Sequence, residues 1–168
     1  MQSPADKDRF PSRKLPRLKN FDYSSPNYYF VTICTQDRKP ILWNAEAATG
    51  CSRLSPIGTL VETAILQIPE HYPMISVDIY CVMPDHIHML LSIHTDEDGR
   101  QIAAPTMSMV VGHMKRWVSM KIGSSIWQKS FIDRVIRNDM GYRAVWEYIE
   151  NNPIKLDTAD DMPDFENM

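Results

Sequence analysis

The sequence predicts an α+β fold: a ferredoxin-like antiparallel sheet with helices packed on one face. Three observations support this fold class. The 168 residues suffice for one domain with its own core. Patterned segments follow one another in the order β-α-β-β-α-β-α, with connections that keep the strands antiparallel. This order makes a ferredoxin-like arrangement the natural candidate.

Composition and spacing mark the first strand and the first helix. Residues 28–35 are rich in β-branched and aromatic side chains, and turn residues flank them on both sides. Residues 59–62 have the capping-box spacing Thr-x-x-Glu, after which apolar residues recur at helical intervals. We therefore expect a helix that begins near Thr59 and ends at Pro69.

Two strands are predicted in the middle of the chain. Residues 77–83 alternate like a strand, Pro84 and Asp85 break the pattern, and residues 86–93 resume it. Because the break is short, the two segments should form an antiparallel pair.

The second half of the chain supplies two further helices and one strand. Residues 106–122 carry an apolar stripe at helical spacing, and residues 125–135 read as a strand. Asn138 or Asp139 is a suitable cap for a last helix, which should end near Pro153.

The composition is typical of a soluble globular protein of a reducing compartment. Hydrophobic residues make up 43% of the chain, and no apolar run approaches the ~20 residues of a membrane span. The first ten residues lack the pattern of a secretory signal. The cysteines, at positions 34, 51 and 81, are widely spaced and form no CxxC pair. We expect a cytoplasmic protein without a membrane partner.

Charge divides the chain into three parts. The total is −3, but residues 157–168 hold five acidic and no basic side chains, so the rest carries +2. We predict a basic extended arm over residues 1–20, a folded domain over 21–156 and a flexible acidic tail over 157–168. Basic stretches are candidate phosphate-contacting surfaces, and equally they fit solvated faces. The candidate phosphate-contacting residues are Arg13, Lys14, Arg17, Lys19, Lys115, Arg116, Arg134 and Arg137.

His86 and His88 form a candidate metal-binding pair. Residues i and i+2 of a strand point to the same face, so the two imidazoles lie side by side while Ile87 turns toward the core. Two imidazoles can share one ion, and the spacing does not select the metal. The alternative is a pair of ordinary histidines on a sheet face, although an apolar strand has little structural use for them.

Tyr148 and Asn152 lie one turn apart on the last predicted helix. At about 100° per residue, both fall on the edge of the apolar stripe that contains Val145 and Ile149. A hydroxyl nucleophile and an amide-oxygen metal ligand could thus face a common point. The alternative is a tyrosine packed at the core margin and an asparagine that caps the helix before Pro153.

Four ordered segments resemble one known family. They are residues 17–24 continuing into 29–35, then 83–88, 127–138 and 147–153. Together they are similar to the HUH single-tyrosine transposases of small insertion sequences, and more closely to their REP-associated relatives, often called RAYT proteins.

The resemblance implies an HUH nuclease fold and a specific site. His86 and His88 would be the metal-binding HUH pair, Tyr148 the nucleophile and Asn152 the third ligand; asparagine at this position is typical of the REP-associated branch. The resemblance also implies Mg²⁺ or Mn²⁺ as the ion, and single-stranded DNA with hairpins as the substrate. The DNA would be nicked and rejoined through a 5′-phosphotyrosine. Asp85 stands where many relatives have asparagine.

Two other functions fit the sequence. One is a domesticated, non-catalytic binder of repeat hairpin DNA, and the other is an unrelated metallohydrolase that uses only His86 and His88. Monomer and homodimer both stay open, and so does the use of Tyr148 in its own or in a partner's site.

Overall fold

The computed structural model describes residues 28–44, 53–94 and 105–155. Within them, four strands form one sheet, and four α-helices and a short 3-10 turn connect or cover them. The strands are β1 (Tyr28–Cys34), β2 (Ile75–Val82), β3 (His86–Ile93) and β4 (Ile132–Ile136). The helices are α1 (Pro56–Leu66), α2 (Ile68–His71), α3 (Met107–Ile122) and α4 (Asp139–Lys155), and the 3-10 turn is Gln36–Arg38.

The sheet has the order β2-β3-β1-β4, and every neighbouring pair is antiparallel. This is the ferredoxin-like arrangement of a β-α-β-β-α-β unit, with the two strands that follow the first helix placed to one side of β1. The predicted α+β class and antiparallel sheet are confirmed.

The sequence had suggested that all helices pack on one face of the sheet, but the structure has helices on both faces. Alternate residues of β3 point to opposite sides, so Ile87 packs in the core beneath α1 and α3, whereas Leu90 packs in a second core with α4. In that second core, Val145 and Ile149 of α4 are fully buried. The helix α4, which follows the β-α-β-β-α-β unit in the chain, therefore covers the face to which His86 and His88 belong.

Several predicted boundaries of helices and strands differ from the structure. The helix α1 begins earlier than Thr59, because the Ser55 hydroxyl accepts a hydrogen bond from the Gly58 amide at 3.0 Å and Pro56 fits the first turn. Pro69 does not end the helical region, since it occupies the first turn of α2, where its missing N–H has no cost. Likewise α4 runs past Pro153 to Lys155.

The fourth strand is shorter than the predicted segment 125–135, because only Ile132–Ile136 pairs with β1. The predicted basic arm (1–20) and acidic tail (157–168) lie outside the described residues. Within the described ranges, none of the helices combines the length and the apolar character that crossing a membrane requires.

Candidate metal and nucleophile site

The histidine pair lies at the start of β3, on the face covered by α4. His86 stands opposite Cys34 of β1, and His88 stands opposite Thr32, as the antiparallel register requires. Both histidines are buried, at 1% and 0% exposure. Their rings meet edge to face, with centroids 4.6 Å apart. The expectation that both point to one face while Ile87 enters the opposite core agrees with this arrangement.

Each histidine is held through its Nδ1 atom. Nδ1 of His86 lies 2.6 Å from a carboxylate oxygen of Asp85, and Nδ1 of His88 lies 2.8 Å from the Thr32 hydroxyl. Because a carboxylate accepts hydrogen bonds, a neutral His86 in this contact has its proton on Nδ1, and its Nε2 lone pair is then the atom that can bind a metal. Burial, helped by the charges of His86 and Arg38, lowers the pKa of His88 well below its usual value, which favours the neutral, ligand-competent ring.

The helix α4 brings Tyr148 to the same place. The Tyr148 ring lies 5.4 Å from the His88 ring and 6.0 Å from the Phe30 ring, measured between centroids. Phe30 also lies 5.2 Å from His88, so the three rings form a compact group. One turn further along α4, Asn152 is fully buried, like Val145 and Ile149. It therefore belongs to the face that packs on the sheet, whereas the sequence had predicted the edge of that face.

Several polar atoms of the site have no hydrogen-bond partner in the described part of the chain. They are Nε2 of His88 and both amide atoms of Asn152. Buried polar groups are almost always paired, and an unmade hydrogen bond costs about 1–3 kcal/mol. Nε2 of His88 and the Asn152 amide oxygen are therefore suited to a cation, while the Asn152 amide nitrogen can only donate a hydrogen bond.

The residues also fit a shared ion in spacing and in chemistry. With metal–nitrogen bonds of about 2.1 Å, two imidazoles that share one ion have centroids roughly 4.5–5.3 Å apart, and the His pair is at 4.6 Å. Among the described residues, no three His, Cys, Asp or Glu side chains form a group that could hold a metal. A third ligand from the described residues would be of another type, and the Asn152 amide oxygen is a suitable one.

Of the basic residues singled out in the sequence, Arg134 shares the face of the histidines. It pairs with Phe30 across β1 and β4, and directly paired residues point to the same side of a sheet. Arg137 follows β4 and is exposed. The four candidates of the arm, Arg13, Lys14, Arg17 and Lys19, lie outside the described residues.

Lys115 and Arg116 belong to α3, on the opposite side of the sheet. The Lys115 ammonium donates hydrogen bonds to the carbonyl oxygens of Gln128 and Ser130, at 3.0 and 2.8 Å. Burial lowers the pKa of Lys115 to about 8. The structure thus gives Lys115 a role in fixing the segment before β4, while Arg116 is exposed to solvent.

Arg38 is a neighbour of the site that sequence patterns did not reveal. Its Nε atom donates to Asp85 at 2.8 Å, and Asp85 in turn contacts His86. The only signal in the sequence is a basic residue soon after the first strand, which by itself is indistinguishable from a solvated surface charge.

The fold and the site together point to one class of protein. Residues 24–152 match the family described as IS200-like transposases, and the chain belongs to that family. The matched segment includes His86, His88, Tyr148 and Asn152, with Asn152 at its end.

Within this family, the chain resembles the REP-associated branch. It is 28% identical over 149 residues to a Haemophilus influenzae protein named as a candidate REP-associated tyrosine transposase, covering 80% of this chain and 74% of that protein. It is 26% identical over 161 residues to an uncharacterised protein of the same organism, covering 84% and 88% of the two chains.

A solved structure has the same fold. It is described as a REP-associated tyrosine transposase bound to a REP hairpin, and it matches 91% of this chain and 74% of its own with a TM-score of 0.61 and 20% identity.

Proposed function

We propose that this protein nicks and rejoins single-stranded DNA near hairpins, with Tyr148 as the nucleophile. His86, His88 and Asn152 would hold one Mg²⁺ or Mn²⁺ ion. The observation that carries the proposal is the contact of the His88 and Tyr148 rings, 5.4 Å between centroids. Beside them lie His88 Nε2 and the Asn152 amide oxygen, which have no hydrogen-bond partner among the described residues. Membership of the transposase family supports a reaction on DNA.

The reaction is a transesterification at phosphorus. The Tyr148 oxygen attacks the scissile phosphate in line, a bond forms between that oxygen and phosphorus, and the bond from phosphorus to the 3′ oxygen breaks. The phenolic proton passes to solvent, and the departing 3′ oxygen takes up a proton. A bound divalent ion supplies charge neutralisation at the phosphate.

The phosphotyrosine is itself a phosphodiester, so the free energy of the cleaved DNA linkage is conserved in it. A 3′-hydroxyl can attack it, restore a phosphodiester and release Tyr148, so cleavage and joining need no nucleotide cofactor. The histidine pair is buried, and Tyr148 is part of the helix α4. Both features hold the reacting groups in one orientation, which reduces the entropy lost in each step.

The proposed substrate is DNA with a hairpin. The solved relative of the same fold is described as bound to a REP hairpin, and Arg134, which shares the face of the histidines, would contact a backbone phosphate. We propose that the basic arm at residues 1–20 adds phosphate contacts and that the acidic tail at 157–168 flanks the domain.

The test is a reaction with hairpin oligonucleotides in the presence of Mn²⁺. Labelled at its 3′ end, the DNA should migrate with the protein in a denaturing gel, and labelled at its 5′ end it should yield a shorter free strand. Tight binding without either product would favour the non-catalytic binder instead. Hydrolysis that survives Tyr148→Phe but not His88→Ala would favour an unrelated metallohydrolase.

A further inference from the structure

The segment that joins β1 to α1 begins with an unusual turn beside the histidine pair. Asp37 and Arg38 are consecutive non-glycine residues with left-handed backbone conformations, at φ 55° and 54°. Such a conformation costs roughly 1–2 kcal/mol per residue. It persists when surrounding contacts determine it, and it is concentrated at functional sites.

The turn presents the Arg38 guanidinium to Asp85. Arg38 Nε donates to one carboxylate oxygen at 2.8 Å, and the other oxygen lies 2.6 Å from Nδ1 of His86. Arg38 Nη1 also lies 3.1 Å from the sulfur of Cys34, the residue paired with His86 across the two strands. The carboxylate is therefore held between a guanidinium and an imidazole, with each oxygen assigned to one of them.

Backbone hydrogen bonds fix the two loops that carry these side chains. The Thr35 amide donates to the Asp85 carbonyl oxygen at 2.9 Å, and the Leu42 amide donates to the Pro84 carbonyl oxygen at 2.9 Å. The Thr35 hydroxyl lies a further 3.0 Å from the Asp85 carbonyl oxygen. Both ends of the turn are thus tied to the Pro84-Asp85 break, which fixes the position of Arg38 relative to Asp85.

We infer that Arg38 and Asp85 are positioning residues, which set the orientation and the tautomer of His86 for metal binding. Asp85 accepts the Nδ1 proton and so directs the Nε2 lone pair into the site, while Arg38 prevents the carboxylate from turning away or toward the ion. A partner of this kind commonly contributes about 10- to 100-fold to metal affinity. The inference rests on the proposed function in that it takes His86 to be a ligand.

The first test needs no metal. Long-range ¹H–¹⁵N spectra distinguish protonated from unprotonated ring nitrogens, so at a pH where the ring is neutral they report the tautomer of His86. Wild type and Lys121→Met, a control at an exposed position of α3 on the opposite side of the sheet, should show one species with the proton on Nδ1. Asp85→Ala should show both tautomers, because no carboxylate is left to accept the Nδ1 proton.

The second test measures Mn²⁺ affinity of the DNA-free protein from the loss of the free-ion EPR signal. We expect Asp85→Ala to weaken binding about 10- to 100-fold and Arg38→Met by a smaller factor, with Lys121→Met near wild type. Unfolding midpoints measured in parallel separate this effect from a general loss of structure.

Each contrary outcome has a distinct meaning. If Asp85→Ala keeps the single tautomer and wild-type affinity while His86→Ala loses the ion, the positioning role is wrong and the metal site stands. If Arg38→Met weakens DNA binding but leaves Mn²⁺ affinity unchanged, Arg38 contacts the substrate instead. If His86→Ala itself binds Mn²⁺ as wild type does, the proposed metal site fails and the inference fails with it.

Discussion

At the scale of single residues, His88 depends on one hydroxyl for its orientation. Its Nδ1 atom lies 2.8 Å from the Thr32 hydroxyl, and both residues are buried in the sheet. Thr32→Val keeps the shape of the side chain and removes this partner. We expect it to lower the free energy of unfolding by about 1–3 kcal/mol, because a buried nitrogen loses its hydrogen bond.

Urea denaturation measures this effect, and Thr63→Val is the matched control. The Thr63 hydroxyl donates within α1 to the Thr59 carbonyl at an exposed position, so its loss should change stability by less than about 0.5 kcal/mol. Equal unfolding free energies for the two variants would contradict a structural role for the contact between Thr32 and His88.

The side chains of the site were predictable from the sequence to different degrees. Strand alternation was enough to place His86 and His88 on one face. Helical spacing was enough to bring Tyr148 and Asn152 to the same side of α4, but it put Asn152 on the edge of the apolar stripe, whereas it is fully buried. Arg38 could not be predicted, because its role depends on a left-handed turn and on an ion pair with a residue 47 positions away. Neither the left-handed turn nor the distant ion pair can be predicted from a periodic pattern in the sequence.

At the scale of elements, the packing of α1 against the preceding loop requires a glycine. A Cβ atom at Gly58 would lie 2.1 Å from the carbonyl oxygen of Leu42, which is backbone and cannot easily shift. We expect Gly58→Ala to destabilise the protein by about 2 kcal/mol or more through overpacking.

Gly112 offers the opposite case within α3. A Cβ atom there would meet no atom within 4 Å, so Gly112→Ala should stabilise the protein by about 0.5–1 kcal/mol, as expected for alanine in a helix interior. Thermal unfolding of both variants tests the pair. A Gly58→Ala protein as stable as wild type would mean that α1 is not held against Leu42 in this way.

The bounds of helices and strands were predicted more reliably than the elements against which they pack. The β3 bounds, 86–93, and the α3 bounds, within a residue, follow directly from alternation and helical spacing. The position of α4 on the second face of the sheet could not be predicted in this way. An apolar stripe indicates that one side of a helix is buried, but it does not indicate which element covers that side. Ser55 and Pro56 were missed because the Thr59 capping-box pattern competes with them and only the packing decides.

At the scale of the whole molecule, the proposed ion joins separate parts of the fold. Its ligands would come from β3 and from α4, which otherwise meet through a small second core. Because the unfolded chain has no such site, Mn²⁺ should stabilise the folded protein and raise its unfolding temperature. The expected gain in the free energy of unfolding is roughly 2.7 kcal/mol when the Mn²⁺ concentration is 100 times the dissociation constant. His88→Ala and Asn152→Ala should abolish the shift.

Differential scanning calorimetry with and without Mn²⁺ measures this coupling in each variant. The readout is the change caused by the ion, so any loss of stability from the substitutions themselves cancels. An equal shift in wild type and both variants would show that the ion binds elsewhere.

The most direct test of the account concerns the nucleophile, and α4 contains its own control. Tyr142 lies on the same helix, and its hydroxyl donates to Asp78 at 3.1 Å, away from the histidine pair. With 3′-labelled hairpin DNA and Mn²⁺, wild type and Tyr142→Phe should form a covalent adduct that resists denaturation, and Tyr148→Phe should form none. An adduct of undiminished yield with Tyr148→Phe would contradict the proposed role of Tyr148.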